Sequence, residues 1–335
     1  MEKYILTIAI PTYNGSKTIV NSLSTLIPQL TDDVELIVVD NCSTDNTHEI
    51  VGYYSSKYNF KYIRNEKNIG ADGNFLKCLK IAHGKFVMLL SDDDLIVEGG
   101  LKKIVAFLKQ NGQISCAYMD SIAFRKKYAG ISNCHRYKKF STMVTEDIVT
   151  TDKKEFLKYS LRLFGFTSSF IWSTKKINQI KNPERFFNTY FLQAYMIIET
   201  TYNKGDLLGI ICGPCIAIGE YGVIGNYDMA KVEGVYYYKM IKKAINCGYP
   251  YKTMKKYYSW KLRNNVSRSV IKEKIIMQRK TELSSIIEAT EGLPLTRLYL
   301  ISCYYLPKGL CELILVISRK LKGLTTETYV NRPTD

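Results

Sequence analysis

KFVMLLSDDDL, residues 85–95, sets five consecutive apolar side chains, Phe86 to Leu90, directly before Ser91, Asp92, Asp93 and Asp94. A short continuous apolar run closed by turn residues reads as a strand buried on both faces. In an open α/β sheet, ligands bind just outside the carboxyl ends of such strands. The stretch therefore delivers three carboxylates, on a rigid strand, to the place where this architecture binds things. Adjacent acids repel one another, and a solvated turn needs no more than one. A hard divalent cation, Mg2+ or Mn2+, would relieve that repulsion. The plainer alternative is an acidic loop that caps the next helix.

Three earlier segments repeat the pattern. A strand over Tyr4–Ile10 ends at Pro11-Thr12-Tyr13-Asn14-Gly15, after which Ser16 opens a helix that Pro28 stops. A second buried strand, Val34–Val39, ends in Asp40, with Asp45 or Asn46 as the cap of a helix running to Tyr58. A short third strand, Phe60–Ile63, leads into Arg64-Asn65-Glu66-Lys67-Asn68-Ile69-Gly70. Gly73 to Ala82 reads as helix, with Gly84 as its stop. The rhythm is βαβαβαβ, a parallel sheet with right-handed crossovers. Polar residues gather at the strand C-termini: Thr12, Asp40, Asn68 and Asp92–Asp94. That one-sided gathering points to a site more strongly than any one motif. No Walker A pattern occurs, and no G-x-G-x-x-G follows the first strand.

Beyond a helix at Gly99–Gln110, Ser115–Phe124 reads as a strand containing Asp120. Residues 126–150 are polar and basic, and predict a mobile excursion over the site. Lys153–Phe164 reads as helix, Thr167–Trp172 as strand, Phe186–Tyr202 as one long helix and Leu207–Ile218 as a strand pair. In that pair Cys212-Gly-Pro-Cys215 reads as the turn, with no second CxxC to complete a zinc site. Met229–Asn246, Tyr251–Val266 and Ser267–Ala289 read as helices rich in Tyr and Lys.

The chain of 335 residues carries 47 Lys and Arg against 31 Asp and Glu, a net charge of +16, which calls for an anionic partner. No helix-turn-helix, RRM or zinc signature supports nucleic acid as that partner. Nine scattered cysteines and the absence of a signal peptide predict free thiols in a reducing cytoplasm. Within residues 295–322 no apolar run reaches the roughly 20 residues that span a bilayer. The segment instead predicts either an amphipathic stretch in the interface of an anionic membrane or a helical hairpin packed on the body.

TIAIPTYNGSKTIVNSLSTL, ELIVVDNCSTDNT and RNEKNIGADGNFLKCLKIAHGKFVMLLSDDDLI, in this order, resemble the family 2 glycosyltransferases of the GT-A fold over residues 4–110. The resemblance implies a Rossmann-like, mostly parallel α/β sheet with flanking helices. The glycosyltransferase domain would span residues 1–225, with a nucleotide-binding half (1–115) and an acceptor half (116–225). A mainly helical, basic region would follow over 226–335. By resemblance, Pro11, Thr12 and Tyr13 line the base and ribose of a nucleotide-sugar donor, and Asp40 accepts from the base. Asn68 and Gly70 shape the adjoining loop, while Asp92 and Asp94 touch the ribose and hold Mn2+ or Mg2+. Asn74 also matches the family pattern, with a helix cap as its plainer role.

Many inverting members carry a Glu-Asp pair at a helix start in the second half, one acid of which deprotonates the acceptor hydroxyl. NPERFFNTYFLQAY, residues 182–195, has no such pair. Asp120, Glu184 and Glu199 are the remaining candidates for the base, each with a packing-satisfied or solvated acid as the alternative. The second half is similar to bacterial O-antigen and capsule sugar transferases of abequosyltransferase type. That implies a glycan or polyprenyl-diphosphate-linked acceptor and a peripheral position at the inner face of the cytoplasmic membrane. A sugar-phosphate nucleotidyltransferase is the rival enzyme class, but PTYNGSK lacks its Gly-rich basic loop. A catalytically inactive nucleotide-sugar-binding scaffold is the rival non-enzyme.

Overall fold

A computed structural model describes residues 3–125, 128–136, 139–220, 228–276, 281–314 and 316–317. The chain divides into two compact units, one of Met1–Val223 with Lys242–Thr253, the other of Ile224–Ile241 with Met254–Asp335.

The first unit is built on one nine-stranded sheet: β1 (Tyr4–Thr12), β2 (Val34–Asp40), β3 (Lys61–Arg64), β4 (Gly84–Leu89), β5 (Leu95–Ile96), β6 (Cys116–Phe124), β7 (Ile148–Thr150), β8 (Phe170–Ser173) and β9 (Leu208–Gly219). The order is β3-β2-β1-β4-β8-β6-β9-β5, with β7 also paired to β9. The four strands of the nucleotide half are parallel throughout. From β8 onward the sheet is mixed: β8 runs antiparallel to both β4 and β6, and β9 is parallel to β6. The fold is thus a mixed α/β sheet with flanking helices, of the GT-A kind.

Helices α1 (Ile19–Leu26), α2 (Thr47–Lys57), α3 (Ala71–Lys80), α4 (Gly100–Gln110), α5 (Lys153–Ser160), α6 (Thr174–Gln179) and α7 (Leu192–Thr200) cover it. Ile8 and Ile10 on β1, Ile37 to Val39 on β2 and Val87 to Leu89 on β4 are fully buried. Both faces of these strands are covered, which is why they read as unbroken apolar runs rather than alternating ones.

Several boundaries depart from the sequence reading. Gly84 does not stop a helix but begins β4, where a Cβ would meet the backbone of Leu6 and Thr7 on β1. The long helix expected over Phe186–Tyr202 is a 3-10 turn at Pro183–Phe186, then α7 from Leu192. Asn188 and Tyr190, both at positive φ (61° and 63°), break the path between them. The expected strand pair around Cys212–Cys215 is one continuous strand, β9, whose Gly213–Pro214 peptide is cis. Pairing with β6 holds it together, with a register shift between Met119 and Ser121 that takes up the Gly-Pro step. Thr167–Ser169, expected as strand, is a 3-10 turn before β8, and Leu161–Leu163 is another after α5.

The excursion at 126–150 contributes β7 and a bridge from His135 to Ala123; residues 126–127 and 137–138 lie outside the described residues. The second unit contains α9 (Tyr251–Lys261, all but its first three residues), α10 (Ser267–Ile275), α11 (Leu283–Ala289) and α12 (Pro294–Tyr305); α8 (Tyr237–Asn246) precedes them. The single helix expected over Ser267–Ala289 is thus two, with 277–280 outside the described residues. Part of this unit's tyrosine forms its core. Tyr258 is buried, stacks on Tyr238 at 5.1 Å and donates its hydroxyl to Ala289 O at 2.5 Å. Among the described residues no helix is long and apolar enough to cross a membrane.

Candidate active site

The carboxyl ends of β1, β2, β3 and β4 lie side by side, so the polar tips read from the sequence share one edge. Thr12 ends β1 and is buried. Its hydroxyl donates to Asp92 Oδ2 at 2.5 Å, joining β1 to the acidic turn after β4. Gly15 packs against this pair, where a Cβ would collide with Asp92 Oδ2 and Thr12 Oγ1. Pro11 is buried in β1 beside Val39, while the Tyr13 ring is 48% exposed at the rim.

Asp40 is fully buried at the end of β2. Its Oδ1 accepts from Ser43 N (2.8 Å) and Ser43 Oγ (2.6 Å), and its Oδ2 from the Tyr62 hydroxyl (2.9 Å). Arg64 lies at 3.5 Å from Oδ2 and donates to Ser43 O at 2.9 Å. Burial and the bond to Asp40 raise the Tyr62 phenol above its usual range. Asp45, in the same loop, accepts from Ser16 N (3.2 Å) and from Thr47 N (3.0 Å) and Oγ1 (2.5 Å). Burial opposes its ionisation, but these hydrogen bonds prevail and bring the carboxyl down to about 2.

Asn68 and Gly70 are exposed and latched to β2 through Asn41. Asn41 Nδ2 donates to Asn68 Oδ1 (2.9 Å) and Gly70 O (3.2 Å), and Gly70 N donates to Asn68 Oδ1 at 2.8 Å. Asn74 does not cap a helix. It is buried, donates to Val39 O at 3.0 Å and accepts from Asn65 at 3.0 Å, fixing α3 against β2.

The three acids have different surroundings. Asp92 is partly buried; burial pushes its carboxyl up to about 6, against the Thr12 hydrogen bond, and the Asp93 charge adds to the rise. Asp93 accepts from Ser91 Oγ at 2.5 Å. Asp94 is 1% exposed and spends both oxygens inside the protein: Oδ2 accepts from Ser168 Oγ at 2.6 Å, and Oδ1 from Gly219 N at 2.9 Å. Burial and the Asp93 charge hold its carboxyl well above the carboxylate range. Ser168 also accepts the Ser91 N–H at 2.8 Å. It therefore clamps the turn twice.

Among the described residues no group of three or more His, Cys, Asp and Glu has metal-holding geometry. The donor chemistry still suits a hard cation. All donors are oxygens, and carboxyls held partly protonated by burial and mutual repulsion are what a divalent charge would reverse. Asp92 and Asp93 are both partly exposed, while Asp94 is turned inward.

The candidate bases stand outside the network joining Thr12, Asp92, Asp94 and Ser168. Asp120 is buried and held by Arg136 Nη1 at 2.5 and 2.7 Å. Glu199 lies 3.1 Å from Arg185 and 3.0 Å from Lys243. Glu184 is exposed in the Pro183–Phe186 turn. Gln193 begins α7, donates to Gly165 O at 2.7 Å and leaves its amide oxygen buried without a partner among the described residues. Gly15, Asn41 and Ser168 were not singled out from the sequence. Gly15 and Asn41 lie inside the matching motifs. Ser168 had only its Thr-Ser-Ser context, and its partners lie 74 and 77 positions away.

Comparison with known proteins agrees with this geometry. The family model "Glycosyl transferase family 2" matches residues 7–188. An abequosyltransferase of Salmonella typhimurium is 25% identical over 63% of this chain and 66% of its own. The UDP-Glc:alpha-D-GlcNAc-diphosphoundecaprenol beta-1,3-glucosyltransferase of Escherichia coli is 33% identical over 33% of this chain and 44% of its own. The matches thus span less than two thirds of these relatives. Among solved structures, the UDP-GlcNAc complex of Staphylococcus aureus TarS residues 1–349 has a TM-score of 0.59 at 17% identity, covering 89% of this chain and 88% of that one. A Pyrobaculum calidifontis mannosyltransferase in complex with GDP-Man and Mn2+ has a TM-score of 0.51 at 14% identity, covering 89% and 85%. With the family model spanning more than half of its length, this chain belongs to glycosyl transferase family 2.

Proposed function

We propose that this enzyme transfers a sugar from a nucleoside-diphosphate sugar to a hydroxyl of a lipid-linked glycan, an O-antigen or capsule repeat unit on polyprenyl diphosphate. It would work at the inner face of the cytoplasmic membrane. The observation that carries the donor half is the Thr12–Asp92 hydrogen bond, which brings a base-side strand tip and the acidic turn onto one edge. The exposed Tyr13 ring and Asn68–Gly70 loop flank the base and ribose. Asp40, buried and saturated by Ser43 and Tyr62, anchors the pocket wall. Asp92 faces the ribose and diphosphate. A bound Mn2+ or Mg2+ supplies a Lewis acid for the departing nucleoside diphosphate. Asp92 would hold it from the partly exposed side of the turn, and Asp94 would join only by giving up Ser168 or Gly219. The acceptor class rests on the likeness to relatives whose names carry abequosyl transfer and a diphosphoundecaprenol acceptor.

The test is a thermal-shift and slow-hydrolysis panel of UDP-, GDP-, dTDP- and CDP-sugars with Mn2+ or Mg2+. At least one donor should raise the melting temperature in a metal-dependent way, and Asp92→Asn should abolish the shift. A panel that leaves the melting curve unmoved overturns the reading.

A further inference from the structure

The second unit exposes apolar surface where a folded chain ordinarily buries it. Nine of the twenty-one exposed large apolar side chains among the described residues fall between Leu295 and Ile317. Their spacing is regular. On α12, Leu295, Leu298, Tyr299 and Tyr305 are 83%, 64%, 43% and 65% exposed, while Thr296, Leu300 and Cys303 are buried. Residues 308–314 are helical again, and Leu310, Leu313, Ile314 and Ile317 stand exposed at i, i+3, i+4 and i+7 around the buried Cys311. Each segment therefore has one face packed on its own unit and an apolar face turned outward. The spacing is that of an amphipathic helix whose apolar stripe is left exposed by the described residues.

Charge selects the partner. Residues 254–335 hold fifteen Lys and Arg against seven Asp and Glu, half of the chain's +16 excess in about a quarter of its length. Lys308 is exposed next to the second stripe. An apolar stripe with tyrosines, set in a cationic unit, matches the boundary of an anionic bilayer, where acyl chains take the Leu and Ile side chains and lipid headgroups face the cations. A second copy of this chain would share the positive charge and repel it.

We infer that the outward faces of α12 and of residues 308–314 with 316–317 form a docking surface for an anionic lipid bilayer. This adds a located surface to the membrane position proposed above and rests on that reading only for its purpose, since vesicle binding needs neither donor nor acceptor. The full chain should co-sediment with phosphatidylcholine vesicles containing about 30% phosphatidylglycerol, and at least tenfold less with phosphatidylcholine alone. Leu313→Glu/Ile314→Glu and, separately, Leu298→Glu should weaken binding at least tenfold. The exposed positions should leave the melting temperature and donor hydrolysis unchanged. Wild-type binding that the variants do not weaken, or no binding to anionic vesicles, overturns the inference. So does a dimer in sedimentation velocity that the same variants split while vesicle binding is absent. Loss of donor hydrolysis with vesicle binding intact would count against the transferase reading alone.

Discussion

Thr12 and Asp92, eighty positions apart in the chain, meet through a 2.5 Å hydrogen bond at the edge of the sheet. The hydroxyl both orients the carboxylate and favours its ionised form, against the burial that raises it to about 6. Thr12→Val keeps the shape and removes the donor. It should cost about 1 kcal/mol of stability and lower donor hydrolysis about tenfold near pH 6 by moving the acid limb upward. The deficit should shrink at pH 8. A kcat/KM profile against pH measures this, and a loss equal at every pH would argue for simple distortion.

Gly15→Ala tests the same pair from the other side. Its Cβ would occupy the space of Asp92 Oδ2 and Thr12 Oγ1. Asp92 can swing aside but Thr12 is buried and β-branched, stiff at χ1, so the fold should survive with a lowered Tm. Activity should fall about tenfold or more, because misplacing a reacting group by about 1 Å costs roughly 10²-fold. Unchanged activity would show that the geometry of this pair is not used.

Asp94 is held by Ser168 and Gly219, so its truncation should be a stability event. Asp94→Ala leaves the buried Ser168 hydroxyl without its acceptor, at about 1–3 kcal/mol, and frees the half-buried Gly219 N–H. Asp94→Asn keeps an acceptor and should retain most of the stability. If the turn also binds the cation, Asp94→Asn should lose metal-dependent donor stabilisation while remaining folded. Urea titrations and Mn2+-dependent thermal shifts separate the two effects.

Stability without cation should vary with pH in two windows. An unfolded aspartate ionises near about 3.9. Asp92 keeps its proton to about 6 when folded. The folded state therefore binds more protons between these values and loses stability as pH rises through them. Asp45, at about 2, acts the other way: its contribution is present above about pH 4 and is lost as pH falls towards 2. Asp94, whose carboxyl burial also holds high, contributes a fall of the same sign, so Asp92→Asn should make the fall in Tm between pH 4 and 6 shallower without removing it. Asp45→Asn should lower Tm at neutral pH and leave that slope alone. A slope unchanged in Asp92→Asn would assign it wholly to other groups.

The nucleotide half was legible because its signals are local: continuous apolar runs, then polar tips, then helices. The second half was not, for reasons particular residues make plain. Gly213-Pro214 has the composition of a turn, yet pairing of the flanking residues with β6 keeps one strand running through it. Asn188 is a weak breaker signal and Tyr190 none, and only the structure shows both at positive φ. The inward hydrogen bonds of Asp94 could not be read, because its partners, Ser168 and Gly219, come from chain 74 and 125 positions later. Which residues of 295–314 are exposed was likewise not legible, because it depends on what the rest of the unit packs against them.

The tie from Asp94 to Gly219 joins the acidic turn to the last residue of β9. A ligand that draws Oδ1 outward must release the Gly219 N–H, and whatever strengthens that hydrogen bond holds the carboxylate in. Thermodynamic reciprocity makes the two effects equal: the factor by which the released β9 end improves cation affinity is the factor by which the cation favours release. Occupancy of the donor corner can therefore be read at the far strand of the sheet, through one hydrogen bond of 2.9 Å.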